Sequence, residues 1–360
     1  MLTTIIVFVI ALSLLIFVHE LGHFLTAKKA GIKVDEFGFG FPPKLFGKKV
    51  GETVYSLNLL PIGGFVRIHG EDGEDKNDPR SFSGKSIGQR AFILSAGVIM
   101  NFLLAVVLFS AVFALGAPKA INDEATGYPE AEVVIERALN NSPAQEAGLQ
   151  IGDVVKEVSY EGSSIEINKV NQLQEFVNQH KGQEITILIQ RGNQSFKKEI
   201  LAREEFPEDQ GPVGVFLART AIVSYPWYEA FYLGAKRTVE LTILIPVILF
   251  DILGDLVTQG QMAEEVGGPV EIFVLTGQMA QLGLVYVLNF IALISVNLVI
   301  INILPIPALD GGRLLFLLIE KIKGSPVSQK VERLAHASGF IVLILLMIAI
   351  TWYDVVRNFF

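Results

Sequence analysis

The sequence predicts a polytopic α-helical membrane protein: four transmembrane helices, a cytosolic β-hairpin loop after the first, and a small α+β domain inserted between the second and third. Three observations carry this. Of 360 residues, 51% are apolar and 18% charged, a balance too apolar for an ordinary soluble domain. Runs of about 20 apolar residues, the length that crosses a bilayer, recur along the chain. Between two of them lies a long polar stretch with alternating, strand-like patterning.

The first span runs from Leu2 to about Ala27 within residues 1–30, and has neither a basic start nor a small-residue cleavage site, so it is expected to be retained. A cytosolic, membrane-associated region follows at 31–90, then the second span at 91–117. The third is expected at 284–304, and the fourth at 335–356, its purely apolar part shorter than the others. Leu241 to Leu256 is also apolar, but Glu240, Asp251 and Asp255 leave too short a charge-free stretch, since a central charge costs about 3 kcal/mol. It is expected to be an amphipathic or interfacial helix within 206–283.

Orientation follows from the basic residues. Lys28, Lys29, Lys33, Lys44, Lys48 and Lys49 follow the first span, and Arg313, Lys321, Lys323, Lys330 and Arg333 lie in the 305–334 loop, which puts both loops in the cytosol. The insert then lies outside.

In the insert, strands are expected at Val133 to Arg137, Val154 to Tyr160, Ile185 to Gln190 and Phe196 to Leu201, with a helix from Val170 to His180. The string Ser142-Pro-Ala-Gln-Glu-Ala-Gly148-Leu-Gln-Ile-Gly152-Asp153 resembles the short helix and turn of permuted PDZ domains, giving a PDZ-like domain at 125–205. Two roles are open for it: capture of peptide termini by strand addition, or steric exclusion.

The chemistry starts at His19-Glu20-Leu21-Gly22-His23, at the end of the first apolar run. Imidazoles four residues apart share one helix face, as a zinc ion needs, and the Glu between them is free to act as a base. With no cysteine in the chain, a third ligand must be His, Asp or Glu. Asp310 is the candidate, just beyond the third run, where Pro305 and Pro307 break the helix. With four spans, His19, His23 and Asp310 reach the same cytosolic side; a further span at 241–256 would put Asp310 on the opposite face.

His19-Glu20-x-x-His23, Asn302-x-x-Pro305-x-Pro307-x-x-Asp310-Gly311 and the PDZ-like insert between them together resemble the site-2 protease family of intramembrane zinc metalloproteases, in particular its bacterial regulator-of-sigma-E protease branch. The resemblance implies Zn2+ as cofactor, Glu20 as catalytic base, and cleavage of single-span membrane proteins such as an anti-sigma factor, with remnant signal peptides a further substrate class. It implies a bacterial cytoplasmic (inner) membrane, with the active site near the cytosolic side and the lipid bilayer around it. Phe37 to Pro43 resembles the branch's membrane-associated segment, and Val54 to Ile68, with Gly63 and Gly64, its re-entrant β-loop thought to pair with substrate; an ordinary cytosolic hairpin is the alternative. Asn297 and Asn302 either contact substrate or satisfy the broken third helix. Two departures stand out: a single PDZ-like unit where some relatives have two, and Arg313 where several have His.

The net charge of -8 argues against a nucleic-acid partner. His69, His180 and His336 are expected to be surface or packing residues. A non-catalytic scaffold has no use for Glu20 between two ligands, and a small-molecule transporter would need further intramembrane charges.

Overall fold

The computed structural model describes residues 1–73, 75–192, 194–207, 210–259 and 267–359. In chain order the elements are α1 (Leu2–Lys29), β1 (Val34–Val50), β2 (Thr53–Ile68), α2 (Ile87–Leu115), β3 (Ala117–Ile121), β4 (Glu132–Ala138), α3 (Pro143–Glu146), β5 (Val154–Tyr160) and β6 (Ser163–Glu166). There follow α4 (Val170–Gln179), β7 (Glu184–Arg191), β8 (Gln194–Leu201), β9 (Val215–Val223), α5 (Trp227–Gln259), α6 (Pro269–Leu282), α7 (Leu284–Ile303), α8 (Asp310–Lys323) and α9 (Gln329–Phe359). Two compact units result: Met1–Ala111, Phe231–Gly277 and Leu288–Phe360 form one, Val112–Ala230 and Gln278–Val287 the other.

Among the described residues four helices are long and apolar enough to cross a membrane: α1, α2, α7 and α9 over Gln329–Val356. Each closes its backbone hydrogen bonds internally, which hydrocarbon demands. α5 is not among them, although it is one 33-residue helix with Pro246 inside it. Lys28 and Lys29 end α1 where its dipole favours cations. α2 begins with a capping box in which the Gln89 side chain accepts from Ser86 N–H (3.3 Å) and Ser86 Oγ from Gln89 N–H (3.4 Å).

Several boundaries differ from the sequence reading. α9 starts at Gln329, not 335, because Ser328 accepts at its Oγ from Val331 N–H (3.4 Å) and caps two polar turns ahead of the apolar run. The expected 305–334 loop contains a helix, α8, closed by Gly324 in the left-handed region (φ 76°). The expected β-hairpin is larger: β1 and β2 fold back so that Glu36–Phe39 have partners on both sides, Val54–Leu57 and Gly64–Arg67. Of the region expected at 206–283, residues 208, 209 and 260–266 lie outside the described residues.

At the far end of α9, Asp354 is fully buried and accepts from the backbone N–H groups of Gly268 (2.9 Å) and Glu271 (3.2 Å), capping the first turn of α6. The α9 side chains Phe340, Ile341, Leu345, Leu346 and Ile348 are exposed, as a lipid-facing surface requires.

In the second unit one sheet has the order β3-β9-β4-β5-β7-β8, with β6 added to β5. Its core packs Val133, Ile135, Val155, Ile185, Ile187 and Ile189 against Leu173, Phe176 and Val177 of α4. The 125–205 boundaries omit β3 and β9, yet β9 is a central strand, paired with β4 over Glu132–Ala138. Val215–Val223 reads as two apolar runs around Arg219-Thr220, without apolar-polar alternation, and a turn-rich stretch precedes it, so no local pattern marked it as a strand.

Candidate metal centre

α1 presents His19 and His23 one turn apart, and the break after α7 returns Asp310 to them. His19 Nε2 lies 3.1 Å and His23 Nε2 3.4 Å from Asp310 Oδ2, and the two nitrogens are 3.2 Å apart. These side chains are largely buried, at 12%, 8% and 17% exposure. Among the described residues they form the one group of three or more potential ligands close enough for a single ion.

The donor chemistry fits a cation. His23 Nδ1 sits 2.8 Å from the carbonyl oxygen of Ile93, which only accepts, so Nδ1 carries the proton and Nε2 of the neutral ring presents a lone pair. That lone pair faces Asp310 Oδ2, a buried oxygen whose contacts with the imidazoles do not have hydrogen-bond geometry. Acceptors converging on one point need a positive charge between them. Ligands about 2.1 Å from zinc at tetrahedral angles stand roughly 3.4 Å apart, close to the separations here.

Glu20 points toward the sheet. Its Oε2 accepts from the backbone N–H of Val66 in β2 at 3.0 Å. Ser13 of α1 donates to Pro61 O at 2.6 Å, so two bonds hold β2 along the helix that carries the histidines.

α2 contributes residues that the sequence reading did not single out. Asn101 is fully buried, with Nδ2 3.4 Å from His19 Nδ1 and its Oδ1 without a partner. With the amide flipped, Oδ1 accepts from His19 Nδ1–H and leaves Nε2 free to ligate, the usual outer-shell arrangement. Ser295 of α7, also fully buried, donates to Asn101 O at 2.8 Å. Gly97 lies under the rings: a Cβ there would collide with His23 Nε2 and stand 2.6 Å from His19 Cε1. An amide in an apolar span is costly, and that cost was the signal available for Asn101.

Asn297 and Asn302 lie half-buried on α7, while Pro305 is exposed and Pro307 half-buried in the connection to Asp310. Gly63 has φ 82°, and a Cβ on it would meet Ile16 Cδ1 of α1 at 3.0 Å; on Gly64 it would meet Gly38 O at 2.9 Å. Close packing against α1 and β1 thus accounts for both glycines. His336 accepts at Nδ1 from Ala308 N–H, two residues before Asp310. His69 faces Asp35, Asp75 and Asp78 at 3.5–3.8 Å, and His180 stacks on Phe176.

Residues 7–346 match the peptidase family M50. The chain is 36% identical over 351 residues to a Clostridium perfringens protein provisionally named a zinc metalloprotease, covering 96% of this chain and 97% of that one. It is 32% identical to the zinc metalloprotease RasP of Bacillus licheniformis and 31% to the regulator of sigma-W protease RasP of Bacillus subtilis, with 99% of each chain covered in both cases. Those two alignments run over 436 positions, so both Bacillus proteins carry insertions that this chain lacks.

Proposed function

The chain belongs to peptidase family M50 and is an intramembrane zinc metalloprotease, and from that premise we propose that His19, His23 and Asp310 hold the zinc while Glu20 is the catalytic base. The convergence of three acceptor atoms within 3.4 Å, with Asp310 Oδ2 buried among them, carries this reading. When bound there, zinc supplies a Lewis acid that acidifies water and polarises the scissile carbonyl.

The chain's own residues do the rest. His23 is fixed in tautomer by Ile93 O, and His19 by the Asn101 amide. Glu20 takes a proton at its carboxylate from the attacking water and passes it to the leaving amine. Its tie to Val66 N–H supports a substrate path along the Gly64–Ile68 side of β2, where an extended segment adds as a strand. Asn297 and Asn302 steady the substrate backbone, and Pro305 and Pro307 keep the segment before Asp310 unwound. Gly63 and Gly64 let β2 approach α1 closely enough to flank that path.

The substrate is a single-span membrane protein of the anti-sigma-factor type, a reading supported by the similarity to the regulator of sigma-W protease. The Lys and Arg residues flanking the spans support a cytosolic side for the metal centre and an outside location for the β3–β9 domain, in a bacterial cytoplasmic membrane. The domain's apolar groove supports capture of peptide ends.

The test is cleavage of a tagged single-span substrate in liposomes by wild type and by Glu20→Gln, with zinc content measured on both. Loss of cleavage with zinc retained is expected. Equal cleavage by the two would remove Glu20 from the mechanism.

A further inference from the structure

Residues 64–68 of β2 form an edge of their sheet. They pair with residues 34–39 on one side, and among the described residues no strand pairs with them on the other. Amide directions alternate along such an edge, one N–H entering the ladder and the next leaving it. His69, directly after the strand, donates from its N–H to Lys33 O at 3.0 Å, on the β1 side. The register shift against this segment, between Val34 and Glu36, falls in β1, so the alternation of β2 is unbroken. Val66, three residues before His69, therefore points its N–H to the open side, and there it meets Glu20 Oε2 at 3.0 Å.

The donor that Glu20 holds is one that an incoming strand needs. A peptide adding along 64–68 bonds through the outward N–H groups, of which Val66 has the middle one. At a heavy-atom distance of about 2.9 Å a single N–H serves one well-aligned acceptor, so it takes Glu20 Oε2 or a substrate carbonyl oxygen and not both. β2 itself is held in place: Ser13 donates to Pro61 O at 2.6 Å, and Gly63 and Gly64 are closed in by Ile16 and Gly38. The long side chain of Glu20 is the partner free to change rotamer.

We infer that Val66 N–H is a two-position holder for the catalytic base: it keeps Glu20 while the edge is empty, and a substrate strand that takes the donor releases Glu20 to the attacking water. This rests on the readings that an extended segment adds along this edge and that Glu20 is the base. Val66 is then a positioning residue, acting through Glu20. A segment still in a helix has its carbonyls bonded to its own amides four residues on, so it cannot take the donor and leaves the base held. The exchange also costs affinity, because a charged acceptor has to be displaced from the edge.

The experiment uses the full zinc-loaded chain in detergent as Glu20→Gln and Glu20→Ala, neither of which is expected to cleave, so that affinity is read without turnover. A fluorescently labelled single-span peptide is titrated by anisotropy, and amide hydrogen exchange is followed over 64–68. Gln keeps an acceptor for Val66 N–H and Ala removes it. The Ala variant is expected to bind the peptide about fivefold more tightly and, without peptide, to exchange the Val66 amide faster; the peptide is expected to protect 64–68 in both. Val66→Pro, tolerated at an edge position whose N–H leaves the ladder, removes the donor, and on that background the Ala and Gln variants are expected to bind within about twofold of each other. This comparison separates loss of the acceptor from the space that Ala opens.

Protection of 64–68 with equal affinity of the Ala and Gln variants overturns the holder and leaves strand addition standing. Absence of protection in both overturns strand addition and the holder together. A fivefold gain that persists on the Val66→Pro background assigns the gain to space alone, which also overturns the holder. If Val66→Pro loses its zinc, the exchange rates of the Val66 amide in the Ala and Gln variants decide instead, and equal rates overturn it.

Discussion

His336 accepts a hydrogen bond at Nδ1 from the backbone N–H of Ala308, 2.8 Å away. Ala308 has φ 84°, a left-handed conformation that an alanine adopts only when its surroundings impose it. A histidine on the last helix thus fixes the turn that delivers Asp310. His336→Ala is expected to weaken zinc retention roughly tenfold, and His336→Asn, whose Oδ1 can stand in for Nδ1, to recover part of it. Zinc competition against a chromophoric chelator measures this, and unchanged affinity in the Ala variant would release His336 from the role.

Asn101 acts on the other side of the site. Asn101→Leu leaves His19 Nδ1 without its amide partner and is expected to lower zinc affinity about 10–100-fold. Asn101→Asp keeps an acceptor and is expected to regain most of that loss. The absorption spectrum of the cobalt-substituted protein reads ligand geometry directly, so a spectrum unchanged in the Leu variant would count against the assignment.

Gly97→Ala puts a methyl group against both imidazoles, an overpacking that costs about 1–3 kcal/mol or displaces a ligand. Gly88→Ala, near the start of the same helix with open space around it, is expected to be harmless or to stabilise by up to about 1 kcal/mol. Thermal melting and zinc content of the pair separate a helix effect from a site effect. Similar behaviour of the two variants would contradict the packing account.

Stability of the second unit depends on one buried charge. Asp153 is fully buried, takes two bonds from Arg191 (2.6 and 2.8 Å) and one from Gln150 N–H (2.9 Å). Arg191→Ala strands that carboxylate and is expected to cost about 3–5 kcal/mol, seen as lowered protease resistance of the domain. A loss below about 1 kcal/mol would mean the pair is screened like a surface ion pair.

The spans and both halves of the candidate metal centre were legible because each rests on a local pattern: uninterrupted apolar runs, His19 and His23 four residues apart, and Asp310 shortly after two prolines. The supporting contacts are long-range. Asn101 meets His19 across 82 positions, Ser295 meets Asn101 across 194, and Val66 meets Glu20 across 46. No local periodicity encodes such pairs. The double pairing of Glu36–Phe39 was hidden for a related reason: alternation marks a strand but does not say how many neighbours it has.

Between His336 and Asp354 most α9 side chains are exposed and the rest half-buried. Asp354 ties one end to the start of α6, and His336, about 27 Å away along the axis, holds the turn before Asp310. No residue of its most apolar stretch is fully buried. A helix held this way transmits the thickness of its bilayer, because mismatch is relieved by tilting, and tilt moves both attachments. Catalysis is therefore expected to vary with acyl-chain length. Cleavage rates measured in liposomes of short-, medium- and long-chain phosphatidylcholine should pass through an optimum, and His336→Asn should shift or flatten it; a flat response in the wild type would mean the turn holds its shape whatever α9 does. On this account the membrane is a mechanical component of the active site as well as the medium around it.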